Sequence, residues 1–352
     1  MHYGFFFSCF CFYAIALQAG VIEWVVSKKE RYLTEPLCEE DKNRGFPHIL
    51  RYELAKHGYE LVEKGLKEAG EGDLVLWNRI GNKSTYKRIW LFKQKNIKQV
   101  FINFEPPLYE DFGLTPKIVR LFDHLFTWND GIKKNEKVHK FYYPVKALMG
   151  LNLPTFEDRK ISAMVLSDHE SDGSNELYSK RRELVSFYET LSDGEFFFHL
   201  YGRKWNKKGR NLKTYQGIAV DCIETLQRYR FAFVFENWSN DVGYITEKVF
   251  CAFSAGTVPI YWGASNLSTY IPADCYIDGR KFASFQEIDD FMAVMTKEEW
   301  CAYQERIRVY LESEKGDLFS PKRVAKLVVQ EILKSLEDYN SLKPICFDDV
   351  WR

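Results

Sequence analysis

The sequence predicts an α/β protein of two Rossmann-like domains facing each other across a cleft, with a helical C-terminal region. Its 352 residues exceed one ordinary domain, so two domains of roughly 150 residues are the starting expectation. Short apolar runs alternate with amphipathic stretches, the pattern of parallel strands joined by crossover helices. That alternation pauses at the loop GLNLPTFEDRK (150–160) and then restarts, which separates two successive α/β units.

The chain opens on an uncharged run, residues 3–22 (YGFFFSCFCFYAIALQAGVI), about long enough to cross a bilayer. Lys28 and Lys29 follow it, and such a basic flank would hold the rest of the chain on the cytoplasmic side. A signal peptide would start with basic residues that are missing here, although Ala19 is a small candidate cleavage residue. Residues 1–22 are therefore a candidate membrane anchor, a signal or an apolar first strand. Membrane association through residues 3–22 is the expectation retained.

Residues 23–150 are the expected first domain, with strands VIEWVVS (21–27), DLVLW (73–77), QVFINF (99–104) and HLFTW (124–128) and a helical stretch PHILRYELAKHGY. Residues 151–340 are the expected second domain, with strands ISAMVLS (161–167), FFFHLY (196–201), FAFVF (231–235) and TVPIYW (257–262). The helix NELYSKRRELVSFYETL separates the first two of these. Residues 284–338 read as charged helices that cover the second sheet.

Composition narrows the function. Hydrophobic residues make up 46% and aromatics 16%, enough to fill two cores and too many for a disordered chain. Acidic and basic side chains balance at 49 each, so nothing in the net charge favours a nucleic-acid partner. The eight cysteines form no Cys-x-x-Cys pair, and buried or inert thiols are expected, with Cys222, Cys251 and Cys275 among apolar neighbours. No Asp-x-Asp occurs, which removes a common anchor for a catalytic metal in nucleotide-sugar enzymes. No metal site and no cofactor are expected, and the seven histidines look scattered.

The densest chemistry lies in YRFAFVFENWSNDVGYITEKVFCAFSAGTVPIYWG (229–263). FAFVF is short, unbroken and apolar, as a strand covered on both faces should be, and the chain turns polar at Glu236. Ligands of open α/β sheets bind at that carboxyl edge. The loop 237–243 leads to Thr246, a candidate N-cap, and to a helix EKVFCAFSA stopped by Gly256. Lys248 sits in the first turn, where the helix dipole favours an acid, and so suggests an anion to be held. Glu247 offers two oxygens to sugar hydroxyls, and Tyr244 offers a ring to stack or a hydroxyl to donate. On these residues alone, local capping by Glu236 and Glu247 and simple packing of Tyr244 fit equally well.

VFINFEPP places Glu105 directly after an apolar strand that Pro106 and Pro107 terminate. A carboxylate there suits a general base, or a cap on the neighbouring turn. Other candidates carry less. His199 alternates with aromatics like a satisfied core residue. Asp168, His169 and Asp172 resemble loop turns more than metal ligands. Arg181 and Arg182 look like a solvated helix face, and RKWNKKGR (203–210) is a basic loop. Asn82, Asn237 and Asn266 each begin an Asn-x-Ser sequon.

The ordered series FAFVFEN, GYITEKVF, AGTVPIYWGASNLSTYIP and YIDGRKF resembles glycosyltransferase family 10, the α-1,3/4-fucosyltransferases. The likeness is dense over residues 231–282 and looser from about 95 to 335. It implies a GT-B fold, a GDP-fucose donor and inverting transfer of L-fucose to an oligosaccharide or glycoconjugate acceptor, with O3 of an N-acetylglucosamine-type residue as the expected position. It puts the donor-binding residues at Tyr244, Glu247 and Lys248, with Asn237 and Thr246 in the same motif, and a diphosphate-binding arginine at Arg203. Glu105 falls on the proposed catalytic base, and Glu247 joins it among the expected catalytic residues; metal-independent chemistry is implied. The segments LFTWND and NELYSKRRE resemble bacterial-type members, which would place the chain on the cytoplasmic face of the inner membrane; a eukaryotic member would sit in the Golgi membrane. The alternatives are a GT-B enzyme using another nucleotide sugar, or a catalytically silent glycan- or nucleotide-binding protein. The joint presence of Glu105, Glu247 and Lys248 speaks against the silent form.

Overall fold

Two all-parallel sheets, each covered by crossover helices, account for the alternating pattern; the computed structural model describes residues 20–26, 32, 33, 35, 37, 45–107, 114–191 and 197–342. The first sheet runs in the order β2-β1-β3-β4-β5-β6. Its strands are β1 (Gly20–Val25), β2 (Tyr59–Lys64), β3 (Leu74–Trp77), β4 (Lys98–Asn103), β5 (His124–Thr127) and β6 (Val138–Lys140). Ile22, Leu74, Val75, Leu76, Val100, Phe101 and Ile102 are fully buried. Unbroken apolar runs have this meaning: helices cover both faces of the strand. The helices here are α1 (Phe46–Ala55), α2 (Lys83–Gln94) and α3 (Pro116–Val119). Asn82 starts α2, its side-chain oxygen accepting the N–H groups of Ser84 and Thr85.

The second sheet runs β11-β10-β9-β7-β8, from β7 (Lys160–Val165), β8 (Phe198–Tyr201), β9 (Tyr229–Phe235), β10 (Val258–Trp262) and β11 (Ile277–Asp278). Around it lie α4 (Tyr178–Thr190), α5 (Cys222–Leu226), α6 (Glu247–Ser254), α7 (Leu267–Tyr270), α8 (Phe285–Val294), α9 (Lys297–Leu311) and α10 (Glu314–Asp317). α11 (Pro321–Leu342) ends the described chain.

Several sequence expectations need correction. β2, β6 and β11 are strands that the apolar pattern does not show. Each lies at a sheet edge, where one side is solvated, and β2 (YELVEK) and β6 (VHK) carry charges accordingly. The helix expected over PHILRYELAKHGY stops at Ala55; Gly58, at φ 79°, reverses the chain, and Tyr59 already pairs with Gly20. The last three residues of the apolar run 3–22 belong to β1, between β2 and β3, so the first domain begins before residue 23. Residues 3–19 lie outside the described residues. Among those described, no helix is long and apolar enough to cross a membrane. Of the described cysteines, Cys275 is buried, Cys222 and Cys251 are half-buried and Cys301 is exposed.

The C-terminal helices divide between the domains instead of all covering the second sheet. α8 and α9 place Ile288, Met292 and Trp300 in the second core. α11 returns to the first: Val324, Val328, Ile332 and Leu336 pack with Ile22, Trp24, Leu50 and Leu54. Their spacing of four residues makes one apolar stripe on a helix, and the stripe fits the face of β1 and α1.

The carboxyl ends of the two sheets meet. After β5, Asp130 accepts hydrogen bonds from Asn266 Nδ2 at 2.9 Å and Tyr270 OH at 2.6 Å in the other domain, and from Lys140 Nζ at 2.7 Å in its own. The Asp130 N–H donates to the Val242 carbonyl at 3.0 Å. Gly243, at φ 92°, lies against the Trp128 carbonyl where a Cβ would collide, so this approach requires glycine.

Candidate active site

On the second-domain side everything is arranged around Glu236, the first residue after β9. It is fully buried, and its N–H donates to the Trp262 carbonyl at 2.8 Å. Its carboxylate accepts the Thr246 N–H at 2.9 Å and the Thr246 hydroxyl at 2.8 Å, and lies 3.1 Å from Lys248 Nζ. Gly263 packs against its Cγ, where no larger side chain fits. Thr246 does occupy the N-cap position of α6, but its hydroxyl donates to Glu236 and makes no cap bond. It is buried and held within the protein, not presented to a ligand.

Lys248 is corrected in the same way. The anion that its place against the dipole demands is Glu236 itself, with Glu247 Oε1 a further 3.4 Å contact. Burial alone would lower the ammonium, but the charges of Glu236 and Glu247 override it and hold Lys248 above its ordinary range. Only 14% of the side chain is exposed. Glu247 is the accessible member, with its side chain 45% exposed in the first turn of α6. Burial would raise its carboxyl, but Lys248 and nearby hydrogen bonds prevail and keep it below the usual range, so it is a carboxylate at neutral pH.

Tyr244 is buried, with its ring 4.9 Å from that of Trp128, so it packs and leaves no face for a base or sugar. Burial, then Glu236, Glu105 and Glu247, push its hydroxyl far up, and it stays protonated as a donor. Asn237 is also engaged: its Oδ1 accepts from Arg181 Nη2 at 2.9 Å. Arg181, expected on a solvated face, is buried and donates to the carbonyls of Phe235 at 2.7 Å and Glu236 at 2.8 Å. The signal was available: Tyr178, Arg181, Leu184, Val185 and Tyr188 form the buried stripe of α4, and Arg181 lies in its middle. Arg182 and Arg210 both pair with the buried carboxylate of Asp168, at 3.2 and 3.1 Å, which occupies that acid as an ion-pair node. Arg203 follows β8 at the same sheet edge and is exposed, its N–H donating to Ser167 Oγ at 3.2 Å. His199 Nδ1 is 2.8 Å from the Tyr229 hydroxyl, so its ring is satisfied, but the residue is half-buried and not in the core. The sequon asparagines are engaged as well, since Asn82 caps α2 and the Asn266 side chain accepts the Gly243 N–H.

On the first-domain side Glu105 follows β4, its carbonyl accepting from Trp128 Nε1 at 3.2 Å. It borders a cavity of about 320 Å³ lined also by Trp24, Tyr32, Arg79, Phe104 and Tyr143. Burial, then Glu247, Glu105 and Glu236, raise the Tyr143 hydroxyl, and the same three acids act on Tyr244. Glu105 and Glu247 therefore converge from opposite domains on one pair of tyrosines. The motif reading missed Trp128, Asp130 and Tyr143, whose partners lie far away in sequence.

Two parallel α/β domains with facing carboxyl edges and an acid on each define a GT-B type protein. Residues 170–310 match the family model for glycosyltransferase family 10 (fucosyltransferase), C-terminal part. The chain is 44% identical over 63 residues to an α-(1,4)-fucosyltransferase of Arabidopsis thaliana, covering 18% of this chain and 16% of that one. It is 26% identical over 197 residues to α-(1,3)-fucosyltransferase 7 of Mus musculus, covering 54% and 46%. These matches span less than half the length of either relative. In structure it is similar to an α1,3-fucosyltransferase with a TM-score of 0.57, 19% identity and 90% coverage of both chains. The same holds for an α1,3-fucosyltransferase with GDP, at 0.56, 17% and 92% of both chains. The family model, the relatives and the structural neighbours all point to glycosyltransferase family 10, and the fold is that of the GT-B type.

Proposed function

We propose that this chain is an inverting fucosyltransferase that moves L-fucose from GDP-fucose to a hydroxyl of a glycan acceptor, O3 of an N-acetylglucosamine-type residue. The facing placement of the two acids carries this reading: Glu105 borders the cavity with Tyr143 and its carbonyl accepts from Trp128, whose ring packs on Tyr244, two positions before the N-cap of α6, the helix whose first turn presents Glu247. The names of its relatives, and a structural neighbour solved with GDP-fucose, support the donor.

Glu105 takes the proton from the acceptor hydroxyl as that oxygen bonds to the fucose anomeric carbon. On the opposite face the bond from that carbon to GDP breaks, and its electron pair leaves on the β-phosphate oxygen. Glu247 accepts hydroxyls of the fucose. Arg203 and the field of Lys248 with the α6 N-terminus oppose the charge growing on the diphosphate, each charge-assisted bond contributing about 1.5–3 kcal/mol. Asn237, Thr246 and Tyr244 act one step back: they fix Arg181, Glu236 and the domain contact. The aromatic cavity beside Glu105 receives the acceptor sugar against ring faces.

The test is calorimetric titration of GDP together with turnover of GDP-fucose and UDP-sugars on N-acetylglucosamine-containing acceptors. GDP binding with turnover of GDP-fucose is expected. Turnover of a UDP-sugar in its place would move the donor assignment; GDP binding without any turnover would mark a silent nucleotide-binding protein. No GDP binding by the folded chain would sink the reading altogether. Membrane attachment through residues 3–19 is part of the proposal, supported by their lack of charge. It predicts that the full chain sediments with membranes and that a chain starting at Gly20 does not.

A further inference from the structure

The sequence separates its histidines, but the fold brings two of them to one acid. His124 opens β5 and His139 lies in the neighbouring edge strand β6, where Phe126 is its register partner. Their Nδ1 and Nε2 atoms are 2.8 Å apart. Glu331, from α11, brings Oε2 to 3.9 Å from His139 Nε2, and the three candidate ligand atoms lie within 4.8 Å of one another. Among the described residues this is the one such group of histidine, cysteine and acid side chains. It sits at the amino end of β5, whereas Glu105 follows the carboxyl end of β4, so it is separate from the cleft.

We propose that His124, His139 and Glu331 bind a divalent transition-metal ion, zinc by preference, which fastens α11 to the edge of the first sheet. Two imidazole nitrogens and one carboxylate oxygen are a borderline-soft donor set that suits zinc and poorly suits magnesium or calcium. Tetrahedral zinc with bonds of about 2.05 Å places its ligand atoms about 3.3 Å apart. From separations of 2.8 Å between the rings, 3.9 Å from His139 to Glu331 and up to 4.8 Å across the group, the rings need to open by about half an ångström and Glu331 to close by about 0.5–1.5 Å. The hydrogen now shared between the rings moves to the far nitrogen of its own ring, and water completes the fourth position.

The surroundings leave room for this. Glu331 gives Oε1 to Lys334 at 2.8 Å, which leaves Oε2 toward the histidines. The hollow is lined besides by Asp123 and Glu136 and by Lys98 and Lys137, so acids and bases balance before a metal enters. The role assigned is structural. α11 is the segment that returns from the second domain to cover the first core, and a metal here would hold that return in place.

The experiment uses the full chain stripped of metal by a chelator, titrated with zinc chloride by calorimetry and with cobalt(II) by absorption. One ion per chain is expected, with a rise in Tm on adding zinc. His124→Ala and His139→Ala should weaken binding about a hundredfold and Glu331→Gln about tenfold, while GDP affinity is unchanged. If the alanine variants fail to fold, the cobalt spectrum of the unaltered chain decides: a tetrahedral d–d band without thiolate charge transfer supports the site. No zinc binding, binding indifferent to both histidines, or a thiolate band that places the metal on cysteine would overturn it and leave the pair as a plain hydrogen bond.

Discussion

The two sheet edges that face each other are built in opposite ways. At the second edge Arg181, Asn237, Glu236, Thr246 and Lys248 satisfy one another in a closed, mostly buried network. At the first, Glu105 borders an aromatic-lined cavity. The most recognisable stretch of the sequence thus spends much of its polarity on shaping an edge, and presents chiefly Glu247 from the motif to the cleft. The residue proposed to do the proton transfer stands in the less conspicuous NFEPP. A motif's density marks where geometry is tightly specified, which is not the same as where bonds are made and broken.

Replacing the proposed base should give the largest effect. Glu105→Gln is expected to lower turnover by about 10²–10⁴ while GDP affinity stays at the wild-type value. Rate and titration measured on the same preparation check this; a variant that loses GDP binding equally would put Glu105 among the supporting residues and erase the contrast between the edges.

Glu236→Ala tests the other edge. It leaves Lys248 with only the half-exposed Glu247 as counter-charge, so unfolding should become easier by about 3 kcal/mol. Replacing Glu236 and Lys248 together by methionine should restore part of that loss, because a buried ion pair and a packed apolar pair are close in stability while the buried Thr246 N–H and hydroxyl still lose their acceptor. Denaturant unfolding of both variants decides whether the network is structural; a Glu236→Ala protein of wild-type stability would show that it is not.

Next in size is Arg181. Arg181→Met removes donors to two strand-end carbonyls and to Asn237, and about 1.5–3 kcal/mol should be lost. Asn237→Ala added to Arg181→Met should cost far less than Asn237→Ala alone, since the partner is already gone. Additive losses would show that the two side chains are not coupled.

What could be read beforehand follows the same contrast. Central strands such as FAFVF and QVFINF are legible because burial on both faces forces unbroken apolar runs. The edge strands β2 and β6 are not, because solvent on one side admits charge. Glu105, Glu247 and Lys248 are visible as polar residues directly after strands or at a helix start. Whether each faces the cleft or a buried partner depends on Glu236 and Gly263, and on packing that the chain order does not reveal. The stripe of α11 was legible as a helix, but not its destination, because one apolar stripe fits either core. The domain contact was illegible for the plainest reason: Asp130 meets Asn266 and Tyr270 across well over a hundred residues.

That contact supplies the smallest effect and sharpens the comparison, since it is what holds the two edges face to face. Burial alone would raise the Asp130 carboxyl, but hydrogen bonds from Lys140, Tyr270 and Asn266 prevail and hold it below its ordinary value of 3.8. A carboxyl with a depressed pKa in the folded state adds stability that is fully present above the unfolded value and is lost as pH falls through the folded one. The side chain is 22% exposed, so solvent limits the contribution to about 0.5–1 kcal/mol. Asp130→Asn should therefore lower Tm slightly at pH 7 and flatten the acid limb of the stability curve below pH 4, while the wild type keeps its steeper fall. Because the contact joins the domains and touches neither acid of the proposed chemistry, turnover should decline without a change in its pH profile. A shifted profile would tie Asp130 to the proton transfer, and the division between a shaped edge and a reacting edge would have to be redrawn.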